Sequence, residues 1–300
     1  MRVIKPLEVT DSTLTSSTIG EPDMGETVWV PYTSVPGDRR TSVVTHRVYE
    51  AVVASTDDPV DGVNVTPPTW VDVAPVNKWA MFDTVNSTQS TETTQLVVEV
   101  TPNEAFSAVA GFNITGATSI NITVTSVSDG VVFNQDITMI DNSAVVDAYT
   151  YFWSPFVIIT EFAVLGIPPY NDATVKITVE GSNIGFGNFI VGNQIELGVA
   201  NYGTSVQLLD FSRKETDEFG NTVVVKGRNS KLVDFDVTIL KSRVNYVYGV
   251  VQSLTTIPSV WIGDDGTNDP TLVFGYFRDY QNNISTPTIT DATIQIEGLV

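Results

Sequence analysis

Apolar and polar residues alternate with a period of two along much of the chain. Within residues 173–180, Val175, Ile177 and Val179 share one face, and Thr174, Lys176, Thr178 and Glu180 share the other. Residues 120–124 (Ile-Asn-Ile-Thr-Val) and 233–239 (Val-Asp-Phe-Asp-Val-Thr-Ile) repeat the pattern. Alternation with one polar face predicts antiparallel sheets that are wet on one side. Valine and threonine fill most of these positions, and β-branched residues lose rotamer freedom in a helix while packing well on a pleated surface. Gly111, Gly116, Asp129-Gly130, Gly181, Gly192 and Gly203 separate the runs at the spacing of a sandwich or barrel. Phe219-Gly-Asn221 lies between 210–215 and 222–226 and predicts a hairpin.

One stretch changes period. Across 242–254, apolar residues recur at Val244, Val247, Tyr248, Val251 and Leu254, which is helical spacing, with Ser242 as N-cap. Pro258 ends it, and Val260-Trp-Ile262 resumes as a short buried strand. The predicted fold is therefore mainly β: an antiparallel jelly-roll-like β-sandwich plus a second β-rich domain containing one helix. Three regions follow. Residues 1–60, weakly periodic, form an arm or small module; residues 61–200 form the sandwich; residues 201–300 form the C-terminal unit with its helix at about 242–254.

Charge and composition then narrow the function. Fifteen Lys and Arg face 35 Asp and Glu, a net charge of −20. Such a surface repels phosphate backbones and anionic lipid, so neither nucleic-acid binding nor membrane insertion is expected. There is no cysteine and a single histidine, His46, which excludes thiolate and multi-histidine metal centres and cysteine nucleophiles. No cofactor is expected. The N-terminus has no signal-peptide pattern and no stretch spans a bilayer, so the expectation is a soluble product of a cytoplasm. The best apolar candidate for a span, 156–165, is short and contains Glu161.

Candidate chemistry is sparse. Asp57, Asp58 and Asp61, and Asp264, Asp265, Asn268 and Asp269, sit in loops that could offer oxygen ligands to calcium, although neither has EF-hand spacing; solvated turns explain both more simply. Asp264, Asp265 and Asp269 are the weak calcium candidates. A glycosidase would need a pair of carboxylates, for which Glu92, Glu99, Glu161, Asp172, Glu196 and Asp210 are candidates only as any of the 35 acids is. A serine triad would have to use His46, in what looks like a strand, and no nucleophile elbow is present, so His46 is read as structural. No catalytic residue is assigned. Aromatics gather early, at Trp29, Tyr32, Tyr49, Trp70, Trp79 and Phe82. Trp29, Tyr49 and Trp70 are the ligand-stacking candidates, against the simpler reading that large rings are core, as expected for Trp79 and Phe82.

Residues 68–83, Pro-Thr-Trp-Val-Asp-Val-Ala-Pro-Val-Asn-Lys-Trp-Ala-Met-Phe-Asp, resemble a segment of bacteriophage and prophage virion proteins. Residues 167–175, 198–203, 210–222, 258–263 and 294–299 are similar to further stretches of those proteins, so the likeness covers blocks from about 60 to 300. Residues 61–200 are similar to galactose-binding-like jelly rolls. Residues 24–70 faintly resemble small chitin-binding modules, departing from them where Trp29 is followed by Val-Pro-Tyr. The resemblance implies a non-enzymatic virion protein of the tail or fibre-attachment apparatus, homo-oligomeric, linking other virion proteins such as tail, fibre or neck components. Its alternatives are a host-recognition protein that binds a surface glycan, or a capsid decoration or neck protein. Within that reading Ile4, Pro6 and Leu7 are expected to make assembly contacts from an N-terminal arm whose removal leaves the fold intact.

Overall fold

A computed structural model describes residues 1–23, 25–155, 157–216, 219–263, 270–284 and 286–299. The chain is mainly β, as the alternation predicts. One antiparallel ladder runs from Phe162–Leu165 through Ala108–Ser126, Ala173–Glu196, Arg2–Pro6, Ser259–Ile262, Val273–Asn283, Ile289–Gly298 and Asn229–Leu240 to Val199–Ala200. Further strands extend it: Gln95–Val100 pairs with 175–180, and Gly130–Thr138 with 119–126.

The two longest strands, Ala108–Ser126 and Ala173–Glu196, pair along almost their whole length, with register shifts around Gly181 and Gly185. Here the backbones come close: a Cβ on Gly181 would lie 2.0 Å from the Gly116 carbonyl oxygen, and Gly116 itself has φ +69°. Only glycine fits such a crossing. It lets the sheet fold over on itself, so that Ile120, Ile122, Val124, Val175, Ile177 and Val179 share one core with Val109, Ile114, Phe186, Phe189 and Val191. That is the sandwich.

The second unit is a sheet of the C-terminal strands with an α-helix, Val244–Ser253, on one face. Val247, Val251 and Leu254 are buried against Val233, Phe235, Val237 and Trp261, at the positions that the helical spacing predicts. Tyr248, by contrast, is exposed. Ser242 does not cap this helix. It sits inside a 3-10 turn, Lys241–Arg243, tied to Thr288 by the Lys241 amide, and the helix starts from Arg243 without a side-chain cap.

The N-terminal residues depart most from expectation. Arg2–Pro6 is an interior strand, not an arm: Arg2–Ile4 pair with Glu196–Gln194 on one side and Ile262–Val260 on the other. Val3 and Ile4 are both fully buried, Val3 in the helix-side core and Ile4 in a third core with Ala108, Phe112, Ile190, Val260 and Phe274. Leu7 packs on the sandwich core and donates its amide to Val191. Pro6, which has no N–H to donate, ends the pairing opposite Gly192. Ile4, Pro6 and Leu7 are thus parts of the fold and not free assembly contacts. Weak alternation here reflects burial on both faces, since a doubly covered strand has no polar side to alternate with.

Residue 60 is likewise no boundary. Leu14–Ser17 lies on the edge of the sandwich beside Gln95–Val100, and the small module is a three-stranded sheet, Arg39–Ser42, Arg47–Ala51 and Trp70–Pro75, with a short helix, Pro59–Gly62.

Deleting residues 1–6 is therefore expected to abolish the cooperative fold of both units. Ile4→Ala is expected to lower unfolding free energy by about 2–5 kcal/mol, as for other fully buried aliphatic truncations. Urea unfolding followed by tryptophan fluorescence checks both; a truncated chain with the wild-type midpoint would exclude the linking role.

Candidate functional site

The stacking candidates lie in the small module. Trp70 is fully buried, its Nε1 donating to the Asp57 carbonyl at 3.2 Å, and its ring fills the space over Gly62, where a Cβ would be 2.3 Å from Cδ1. Tyr49 is also buried, its hydroxyl bonded to Thr45 Oγ1 at 2.9 Å. Trp29 is half-buried and packs on the same cluster. Tyr49 and Trp70 are thus the module's own core, which corrects their assignment as sugar platforms: a domain this small has few other large side chains to bury.

His46 lies in the turn between two strands of this module rather than in a strand, with φ +54°. Its Nδ1 contacts Glu21 Oε1 at 2.7 Å and its Nε2 contacts Asp11 Oδ2 at 3.0 Å. Its ring stacks on Trp79 with centroids 4.2 Å apart, and Trp79 Nε1 donates to the other oxygen of Glu21 at 2.9 Å. From Trp79 a chain of edge-on aromatic contacts runs through Phe82 and Phe189 to Phe186 in the sandwich core. Glu26 and Asp23 add a second tie by accepting from the Asn77 amide and side chain. The constellation borders a cleft of about 330 Å³ that also contains Arg47 and Asp83.

Electrostatics favour a charged ring here. Burial opposes protonation of His46, but the hydrogen bonds to Glu21 and Asp11 and their negative charge outweigh it and raise its pKa above the ordinary value. With both nitrogens held by carboxylates, none remains to take a proton from a nucleophile. His46 therefore ties the module to the sandwich. Asp83 is pushed up by burial, against the hydrogen bonds it accepts from Thr88 and Val85.

The other acids are dispersed. Glu99 pairs with Lys176, Glu161 with Lys231 and Glu196 with Arg243, on three different parts of the sheet. Asp172 accepts from Ser126 and Ser128, and Asp210 from the Ser212 amide. Asp58 caps the short module helix through the Val60 amide, and Asp57 accepts from Thr69. Asp264, Asp265 and Asp269 lie outside the described residues. Among the described residues no three metal-binding side chains converge.

The surface features that stand apart are two apolar protrusions. One follows Gly130–Thr138. Ile140–Asp141 pairs with Val157–Ile158, and between them stands a six-residue helix, Ala148–Trp153. Asp147 caps it, accepting from the Thr150 amide at 2.7 Å while Thr150 Oγ1 accepts from the Asp147 amide at 3.0 Å. No residue of this helix is buried: Tyr149, Tyr151, Phe152 and Trp153 are 72%, 70%, 74% and 74% exposed. The other is the hairpin predicted near 219–221, Arg213–Thr216 with Thr222–Val225. Both its faces are open, leaving Val223, Val224 and Val225 exposed beside Phe211 and Phe219. The two are rooted together, because Lys231, just after the hairpin, forms its ion pair with Glu161, just after the aromatic helix, and also donates to the Leu272 carbonyl.

Reading the early aromatics for function missed this finger. Its signal is four aromatics within the five residues 149–153, bracketed by the turn formers Asp141-Asn-Ser143 and Ser154-Pro155.

Because the protonated form of His46 is the stabilising one, its contribution is complete below the unfolded pKa near 6.5 and fades as pH rises through the raised folded value. His46→Asn, which tolerates the left-handed turn, is expected to lower Tm, and this deficit is expected to shrink between about pH 6 and pH 9. Calorimetry across that range checks it; a deficit that is constant or grows with pH would contradict the charged tie. Neither a protein-family model nor a curated protein matches the chain.

Proposed function

We propose that this chain is a non-enzymatic structural protein of a bacteriophage virion, in the tail or the fibre-attachment apparatus, which links other virion proteins through its protrusions. The observation that carries the reading is the aromatic finger. Four large rings held in water, on a helix too short to persist by its own propensity, are unfavourable in a free monomer, and exposed patches of this kind mark contact surfaces. The valine hairpin has the same character, since an isolated two-stranded ribbon is marginal in water. Both project from a scaffold whose sheets are stitched into one ladder, as suits a part that transmits position rather than transforming a molecule. Among the described residues, the candidate carboxylates Glu99, Glu161, Asp172, Glu196 and Asp210 serve turns and dispersed ion pairs, and Glu21 and Asp11 hold both nitrogens of His46, which favours a scaffold over an enzyme. The blocks of likeness to virion proteins, from 68–83 to 294–299, point the same way.

A host-glycan reading survives in altered form. With Tyr49 and Trp70 in the core, the four exposed rings gathered on the finger offer a surface on which a sugar ring could stack.

Replacing residues 142–156 with a short Gly-Ser turn is expected to leave the unfolding transition intact and to remove the protein from assembled particles, measured by mass spectrometry of purified virions. Normal abundance of the altered chain would refute assembly through the finger. Normal incorporation with loss of adsorption to host cells would favour glycan recognition.

A further inference from the structure

The C-terminal sheet has one face in its core and one in water. Phe235, Val237, Ile239, Ala292 and Ile294 lie on the helix side. By alternation Asp234, Asp236 and Thr238 point the other way, opposite Gln295, Thr293 and Asp291 of the neighbouring strand. The third strand adds Gln281 opposite Thr293 and Asn283 opposite Asp291. All are short acids, amides and hydroxyls, with no Lys or Arg among them. They are also held in place. Gln295 Nε2 donates to Asp234 at 2.7 Å, and Thr293 Oγ1 donates to Asp236 and Thr238 Oγ1 to Asp291, both at 3.2 Å.

The turn Asn201–Gly203 stands at the edge of this face. The Asn201 amide donates to the Asp236 carbonyl at 2.7 Å and its side chain to Thr238 Oγ1 at 2.8 Å. Gly203, at φ +122°, passes so close that a Cβ would lie 3.0 Å from Asp236 Oδ2. Pinned on both sides, the turn holds the Tyr202 side chain fully in water. Tyr202 borders two clefts. One, of about 290 Å³, is lined by Asp236, Asn283, Asp291 and Thr293; the other, of about 560 Å³, reaches across to Arg2, Glu196 and Thr204.

We propose that this face binds a neutral oligosaccharide, with one sugar ring stacked on Tyr202 over the smaller cleft and the next directed into the larger. Each part of a sugar finds its counterpart. Hydroxyls donate to the carboxylates of Asp236 and Asp291 and accept from the Asn283 carboxamide, while the apolar C–H face covers the tyrosine ring, which supplies contact area at low entropic cost. Carboxylates already fixed by Thr293 and Thr238 need little reordering on binding. The smaller cleft, near the lower end of ligand-site volumes, suits a single ring. An anionic sugar is disfavoured, because the described residues of that cleft offer it two carboxylates and no cation. The site shares no residue with the aromatic finger, and its binding does not depend on assembly.

Saturation-transfer NMR of the full chain with glucose, galactose, mannose, N-acetylglucosamine, maltose, cellobiose and lactose tests it. At least one of these is expected to bind, a disaccharide more tightly than its monosaccharide, and sialyllactose no better than lactose. Tyr202→Ala is expected to weaken binding about 10-fold or more with Tm unchanged, because the side chain is fully exposed. Asp236→Asn, which keeps the shape of the side chain, is expected to weaken it comparably. Failure of every neutral sugar to bind, or binding that either variant leaves unchanged, would overturn the proposal. Binding lost on replacing residues 142–156 but kept in Tyr202→Ala would overturn it in favour of the finger, and a preference for sialyllactose would overturn it in favour of an acidic ligand.

Discussion

The strand Arg2–Pro6 hydrogen-bonds on both sides, to Gln194–Glu196 and to Val260–Ile262, while Val3 and Ile4 point into different cores. Neither unit is complete without it. The sandwich would end at the open edge of Ala173–Glu196, and the C-terminal sheet at the open edge of Ser259–Ile262. Unpaired strand edges invite pairing with other chains. Filling both edges at once turns two β units into one ladder, with the aromatic stack of Phe112 on Phe274 reinforcing the join from the far side. The rest of the structure depends on this join, because it fixes the root from which finger and hairpin project.

The small module is attached by different means. Its own core is slight, so its placement rests on polar ties to the sandwich: His46 between Glu21 and Asp11, Trp79 on Glu21, and Asn77 with Asp23 and Glu26. Such ties are sensitive to pH and salt, where the apolar join between the sheets is not. The molecule thus combines one joint that resists changes of medium with another that responds to them.

How much was legible beforehand differs from element to element for physical reasons. Half-wet strands such as 173–180 announce themselves because one face must be polar, and the helix announces itself at Val247, Val251 and Leu254 because those positions meet a core. The strand at 2–6 has two buried faces and no such code, so its sequence looks like that of an arm. Tyr49 and Trp70 could not be told from ligand platforms, because a ring in a small domain's core and a ring on its surface are the same residue in sequence. The finger is hard to recognise for the opposite reason. Its turn of aromatics has no amphipathic pattern, since no residue of it is buried against the fold, and a contact surface of the kind proposed would leave the same gap in the pattern.

On the proposed reading, the scaffold functions through the apolar surface it leaves uncovered. Hydroxyl-radical footprinting, comparing free protein with protein in assembled particles, tests this most directly. It predicts strong protection of Tyr149, Tyr151, Phe152 and Trp153, weaker protection of Val223–Val225, and no change at Trp79 beside His46. Equal reactivity of the finger in both states, with protection appearing instead around the His46 cleft, would contradict it.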